Sequence, residues 1–82
     1  MLCCGIDIAK NSHEASIIDE KGKLLAESIS FSNSQKGCKK LLKFFEKFEI
    51  IPESIVIGME ATGHYWLSVY SFFTENNFNT GC

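Results

Sequence analysis

Apolar and polar residues alternate with a period of two over residues 2–9. Leu2, Cys4, Ile6 and Ile8 take one side of an extended chain, and Cys3, Gly5, Asp7 and Ala9 the other. The pattern predicts a strand, and the small residues flanking Asp7 on its own face leave room around the carboxylate for an approaching ligand. A short turn through Lys10, Asn11 and Ser12 leads to a second strand over residues 13–18. Asp19-Glu20-Lys21-Gly22 then reads as a hairpin turn in which glycine supplies a positive φ. Residues 23–31 give a third strand, so the chain opens as a three-stranded antiparallel meander.

The period then changes. Cys38, Leu41, Leu42, Phe45 and Phe48 fall at helical spacing, with Lys36, Lys39, Lys40, Lys43, Glu46 and Lys47 on the remaining faces. Asn33 or Ser34 can cap this helix, and Pro52 lies beyond its end. The apolar run over residues 55–59 predicts a strand covered on both faces, ending at Glu60. Residues 61–63 make a tight connection with Thr62 as N-cap. Trp66, Val69, Tyr70 and Phe73 give a second amphipathic helix to about Asn77. Residues 78–82 read as the approach to a further strand that the sequence does not contain.

This order (three strands, helix, strand, helix) predicts an α/β mixed sheet belonging to an incomplete domain. A crossover through the first helix brings the fourth strand back parallel to a meander strand, and the first strand is its natural neighbour. Asp7 and Glu60 then converge near the carboxyl ends of adjacent parallel strands, where open α/β sheets place their ligands. Two carboxylates that close repel unless protonated or bridged by a cation. Oxygen ligands without His or Cys select Mg²⁺ or Mn²⁺ over zinc.

Composition narrows the setting. Eighty-two residues suffice for one small domain. The net charge of -2 argues against a free-standing nucleic-acid binder, so other parts of a larger protein would hold DNA. All eight basic residues are Lys, which removes the bidentate fork of Arg. Four cysteines without C-x-x-C spacing, together with charges at Asp7 and Lys10 before any long apolar run, point to reduced thiols and a cytoplasmic protein. No apolar stretch approaches the roughly 20 residues needed to cross a bilayer.

Gly5-Ile6-Asp7-Ile8-Ala9-Lys10, the turn at 19–22, Phe31-Ser32-Asn33-Ser34 with Gly37, and above all Glu60-Ala61-Thr62-Gly63-His64-Tyr65-Trp66 resemble the N-terminal domain of the DEDD transposases. These are insertion-sequence recombinases with a RuvC-like fold, described as guided by a bridge RNA. The resemblance covers essentially the whole chain. It implies an RNase H-like (RuvC-like) sheet, with residues 1–82 as the N-terminal part of the catalytic domain. Asp7 and Glu60 match the first Asp and the Glu of the family's catalytic, metal-binding acid set. The other two Asp residues, and the nucleophilic serine of a separate domain, belong to elements not in this sequence. The resemblance therefore implies DNA strand cleavage and transfer by the complete protein, with DNA and a guide RNA as partners and Mg²⁺ or Mn²⁺ as cofactor. The fragment itself is expected to be inactive, with weak or absent metal binding.

Further residues carry sharper and plainer readings side by side. Lys10, Asn11 and Ser12 can reach nucleic acid beside Asp7 or form a solvated turn. His64 and Tyr65, after a glycine at a helix start, can meet a phosphate or simply pack. Trp66 reads as core, His13 as structural, and Cys3 and Cys4 as small packing residues. The lysine face of the first helix is a solvated face or a contact for RNA or DNA. Two other classes stay open: a nucleotide-binding half-domain of an actin-like ATPase or sugar kinase, and a non-catalytic assembly module that pairs a free sheet edge with a second copy. The turn after Asp7 lacks the glycine pair that a phosphate cradle would use.

Overall fold

Cys4 and Ile6 of the first strand and His13, Ala15 and Ile17 of the second line one buried sheet face in the computed structural model, which describes residues 1–60 and 63–81. The elements are β1 (Leu2–Asp7), β2 (Ser12–Ile18), β3 (Leu24–Ser32), α1 (Gln35–Lys47), a 3₁₀ turn (Pro52–Ser54), β4 (Ile55–Glu60), α2 (Leu67–Glu75) and β5 (Asn79–Gly81). They build one mixed sheet of order β3-β2-β1-β4-β5, antiparallel through the meander and parallel from β1 to β4 to β5. This mixed α/β sheet is consistent with the expected RNase H-like class. The 19–22 turn closes as its residues dictate. Gly22 takes φ +83°, and the Asp19 carboxylate accepts from the N–H groups of Lys21 and Lys23, each at 2.9 Å.

Two expectations about the strands change. The chain after α2 does not merely approach a missing strand, because Asn79–Gly81 itself pairs with β4 from Val56↔Asn79 to Gly58↔Gly81. Asn77, at φ 72°, turns the backbone out of the helix, and the Phe78 N–H returns to the Phe73 carbonyl at 2.9 Å. Buried Phe78 thereby steers the chain onto the sheet. Nor is β4 covered on both faces. Ile55, Ile57 and Met59 are buried, Val56 and Gly58 are half-buried, and Glu60 is exposed. Both helices supply side chains to one core with Cys4, Ile6, Ala15, Ile17 and the buried β4 residues, which leaves the opposite face of the sheet open.

Phe45 of α1, Phe73 of α2 and Phe78 meet in this core at ring-centroid separations of 5.4–6.1 Å. Phe48, expected beside them, is 57% exposed because it is the C-cap residue, where the helix ends. Along α2, Phe72 rather than Tyr70 turns inward with Val69 and Phe73, while Trp66 precedes the helix and packs half-buried against the core. Cys4 and Cys38 are small core residues. Burial, with Cys3 alongside, pushes the Cys4 thiol up to about 12, and burial pushes Cys38 up to about 11, so both stay protonated at neutral pH. Cys3, expected to pack, is exposed on the open face. Among the described residues, no helix is long and apolar enough to cross a membrane.

The start of α1 shows how tightly the layers fit. Ser34, not Asn33, is the N-cap, its Oγ accepting from the Gly37 N–H at 3.0 Å. A Cβ on Gly37 would lie 2.0 Å from the Ser32 carbonyl oxygen, so the first turn of α1 rests directly on the end of β3. In an unconstrained helix interior, alanine is favoured over glycine by about 1 kcal/mol. Gly37→Ala is expected to reverse that sign here and cost about 1–3 kcal/mol through overpacking. For a domain of this size that is a melting temperature lower by at least about 4 °C in a circular-dichroism melt; a raised melting temperature would contradict the close approach.

Candidate carboxylate site

The turn between β1 and β2 is centred between Lys10 and Asn11, and this fixes which residues of the hairpin face each other. Asp7 pairs with Glu14, Ile6 with Ala15 and Gly5 with Ser16. On its other side β1 runs parallel to β4, with Gly5 opposite Gly58 and Asp7 opposite Glu60. Register partners on neighbouring strands share a face, at a strand spacing of about 4.8 Å. Ile6, Ile8 and Met59 occupy the buried face, so Asp7 and Glu60 stand together on the open one.

Glu14 extends this pair to a row of three acids across β2, β1 and β4. It did not stand out in the sequence because it looks like an ordinary solvent-facing residue of an alternating strand. The signal was the turn: a tight turn at Lys10–Asn11 places Asp7 opposite Glu14. An open groove on this face is lined by Asp7, Glu14, Glu27 and Glu60 and floored in part by Gly5 and Gly58. A Cβ on Gly58 would meet nothing within 4 Å, so the space above the floor is free. None of these acids is neutralised by a basic side chain. Among the described residues the one ion pair joins the Met1 amino group to Glu20 at 3.4 Å. Among the described residues no three His, Cys, Asp or Glu side chains converge as a metal-ligand group, and the Asp7–Glu60 pair offers oxygen atoms only.

Beneath the acids lies a polar hub. His13 is fully buried, the one buried polar or charged residue among those described. Its Nδ1 accepts from the Ala9 N–H at 3.1 Å, which puts the ring proton on Nε2, 3.1 Å from the Asn33 Oδ1 that accepts it. Asn33 also donates from Nδ2 to the Lys10 carbonyl (3.1 Å) and from its backbone N–H to the Asn11 carbonyl (3.0 Å), and its Oδ1 accepts from Ser68 Oγ at 3.1 Å. Ser68 lies on α2. The turn that follows Asp7 and the helix that follows Glu60 are therefore tied through one side-chain amide. The Ile8 N–H, donating to the Glu60 carbonyl at 3.4 Å, adds a direct link. His13 is structural, as its place in β2 implied, and the structure it supports is the turn beside the acids.

The remaining sequence candidates fall in two places. Lys10 and Asn11 are exposed in the turn immediately beyond Asp7, adjoining the acid row. His64 and Tyr65 are exposed too, but they lie in a turn before α2, which begins at Leu67 with no side-chain cap. That turn leads into the helix, with the Leu67 N–H donating to the His64 carbonyl at 3.3 Å. The expected Thr62 cap lies outside the described residues.

His13→Leu, which strands the Ala9 N–H and the Asn33 side chain, is expected to cost about 1–3 kcal/mol. Thermal melts and amide hydrogen exchange check this: melting should fall by several degrees and exchange at Ala9 should quicken, with His13→Gln recovering part of both. A leucine variant as stable as the parent would show that the hub carries no weight.

Compared with known protein families, residues 4–82 match the model of the IS110-type DEDD transposases, described as "Transposase". A search of curated proteins returned no match.

Proposed function

Because the chain belongs to the DEDD transposase family whose model matches residues 4–82, we propose that Asp7 and Glu60 are metal-holding carboxylates of a catalytic domain that cleaves and transfers DNA strands during transposition, with residues 1–82 as its N-terminal part. The observation that carries this reading is the Asp7↔Glu60 register across two parallel strands. An exposed acid pair with no basic partner, oxygen donors alone and open space above a glycine floor suits a hard divalent cation.

The chain's own contribution is placement. Asp7 and Glu60 present their carboxylates side by side at the carboxyl ends of β1 and β4, and His13 and Asn33 hold the following turn against α2. Mg²⁺ or Mn²⁺, when bound, supplies polarisation of a phosphodiester and charge stabilisation at the attacking and leaving oxygens. Two acids hold such an ion weakly, because Mg²⁺ gives up its waters reluctantly. The fragment alone is therefore read as inactive, with the remaining ligands, guide RNA contacts and nucleophile supplied by the larger protein.

The kinase-like alternative loses ground in the turn after Asp7. A phosphate cradle needs free backbone N–H groups. Here the Ile8 N–H is committed to the Glu60 carbonyl and the Ala9 N–H to His13.

Titration with Mn²⁺ followed by NMR line broadening tests the metal reading, since paramagnetic broadening reports even weak binding. Broadening is expected to centre on Asp7 and Glu60 and to be lost in Asp7→Asn/Glu60→Gln. Broadening centred elsewhere, or broadening at Asp7 and Glu60 that survives the double substitution, would contradict it.

A further inference from the structure

The formal charge of -2 conceals a separation of charge that the fold imposes. Four of the ten acids line the groove on the open sheet face. Five of the eight lysines, Lys36, Lys39, Lys40, Lys43 and Lys47, lie on α1, whose one acid is Glu46 near its end. A second groove, where α1 meets the β3 edge, is lined by Ser12, Ser30, Ser32, Lys36, Lys39 and Lys43. Lys40 bridges it, donating from Nζ to the Ser30 carbonyl. The close approach at Gly37 seats the helix against the strand and so sets the lysines beside the serine hydroxyls.

We propose that this lysine–serine groove binds the sugar–phosphate backbone of duplex DNA, independently of sequence, and leads one strand toward the Asp7–Glu60 pair. Its chemistry is that of a phosphate track. It offers ammonium and hydroxyl donors, no carboxylate among its lining residues, and no exposed aromatic ring, since Phe31 is buried. Without a stacking platform it has little to offer unpaired bases, and without Arg it lacks the fork that reads guanine. What remains is attraction to a regular array of phosphates. Lys36 to Lys43 spans about 10 Å at the helical rise of about 1.5 Å per residue. Phosphates follow one another along a duplex strand at about every 3.4 Å of axial rise, so a row of this length meets more than one of them.

The groove also adjoins the acid row. Ser30 is the register partner of Glu14, which faces Asp7, and Ser32 is the partner of Ser12, just beyond the Lys10–Asn11 turn. Two strand spacings, about 10 Å, separate β3 from β1. A backbone seated on the lysines and passing over Ser12, Asn11 and Lys10 reaches the acids within a few nucleotides while skirting Glu14. Only this direction of travel rests on the carboxylate reading; the binding itself does not.

The experiment is fluorescence anisotropy of a labelled DNA duplex of arbitrary sequence with the 82-residue chain, at low salt in EDTA. With metal removed, failure here is separable from failure of the metal site. Three lysine contacts predict a plot of log affinity against log salt with a slope of about -2 to -3. Lys36→Gln/Lys39→Gln/Lys43→Gln is expected to weaken binding at least about tenfold and to flatten that slope. Lys21→Gln/Lys23→Gln, in the distant hairpin turn, should stay within about twofold of the parent. Amide shifts induced by the duplex in the unsubstituted chain should map to α1 and to Ser12, Ser30 and Ser32, a readout that does not depend on the variants folding. Salt-independent or absent binding, a triple variant that binds like the parent, shifts centred elsewhere, or tighter binding of a single strand than of the duplex would each overturn the proposal.

Discussion

The parallel pairing of β1 with β4 is the constraint on which the rest depends. Its register sets Cys4 beside Ile57 and Ile6 beside Met59 on the helix side, and Gly5 beside Gly58 and Asp7 beside Glu60 on the open side. Side chains alternate strictly along a strand, so a slip of one residue would turn Glu60 into the core and bring Met59 to the surface. Burying a carboxylate without a partner while exposing a core methionine is costly enough to hold the register in place. The apolar packing that stabilises the sheet thus also assembles the acid pair.

The helices contribute in a different way. Neither carries an acid of the row, yet both fix the segments that follow its two central members. Asn33, just before α1, takes hydrogen bonds from His13 and from Ser68 of α2 while holding the Lys10 and Asn11 carbonyls. A buried polar network of this kind is stable only when its members are paired, and among the described residues no buried side-chain donor or acceptor lacks a partner. The Gly37 contact does the same for the outer edge, pressing α1 onto β3 and lining up its lysines there. Packing on one face of the sheet therefore holds two electrostatically opposed surfaces in place, the acids on the open face and the lysines at the sheet's margin.

Much of this was legible in the residues. The alternation over residues 2–9, the Asp19 turn and the helical spacing from Cys38 to Phe45 each rest on short-range physics, and each forms where expected. The pairing of Asp7 with Glu60 followed from chain order and the preference of sequential elements for neighbouring positions. What escaped notice depends on tertiary context. The 55–59 run is apolar enough for two covered faces, yet both helices pack on one side. Phe48 and Tyr70 fit a helical stripe by spacing but sit where the helix ends or faces solvent. The strand at Asn79–Gly81 has little strand character of its own and forms because Phe78 is anchored in the core. The place of His13 in β2 implies a structural role, but its partner Asn33 lies twenty positions away and no local pattern points to it.

The most direct measurement is the pattern of cross-strand nuclear Overhauser contacts between the backbones of β1 and β4 in isotopically labelled protein. Contacts that run in parallel from Leu2 with Ile55 to Asp7 with Glu60 are the expected result. A pattern shifted by one residue, or β1 pairing on that side with any other strand, would separate the two carboxylates and contradict the assignment of a shared site.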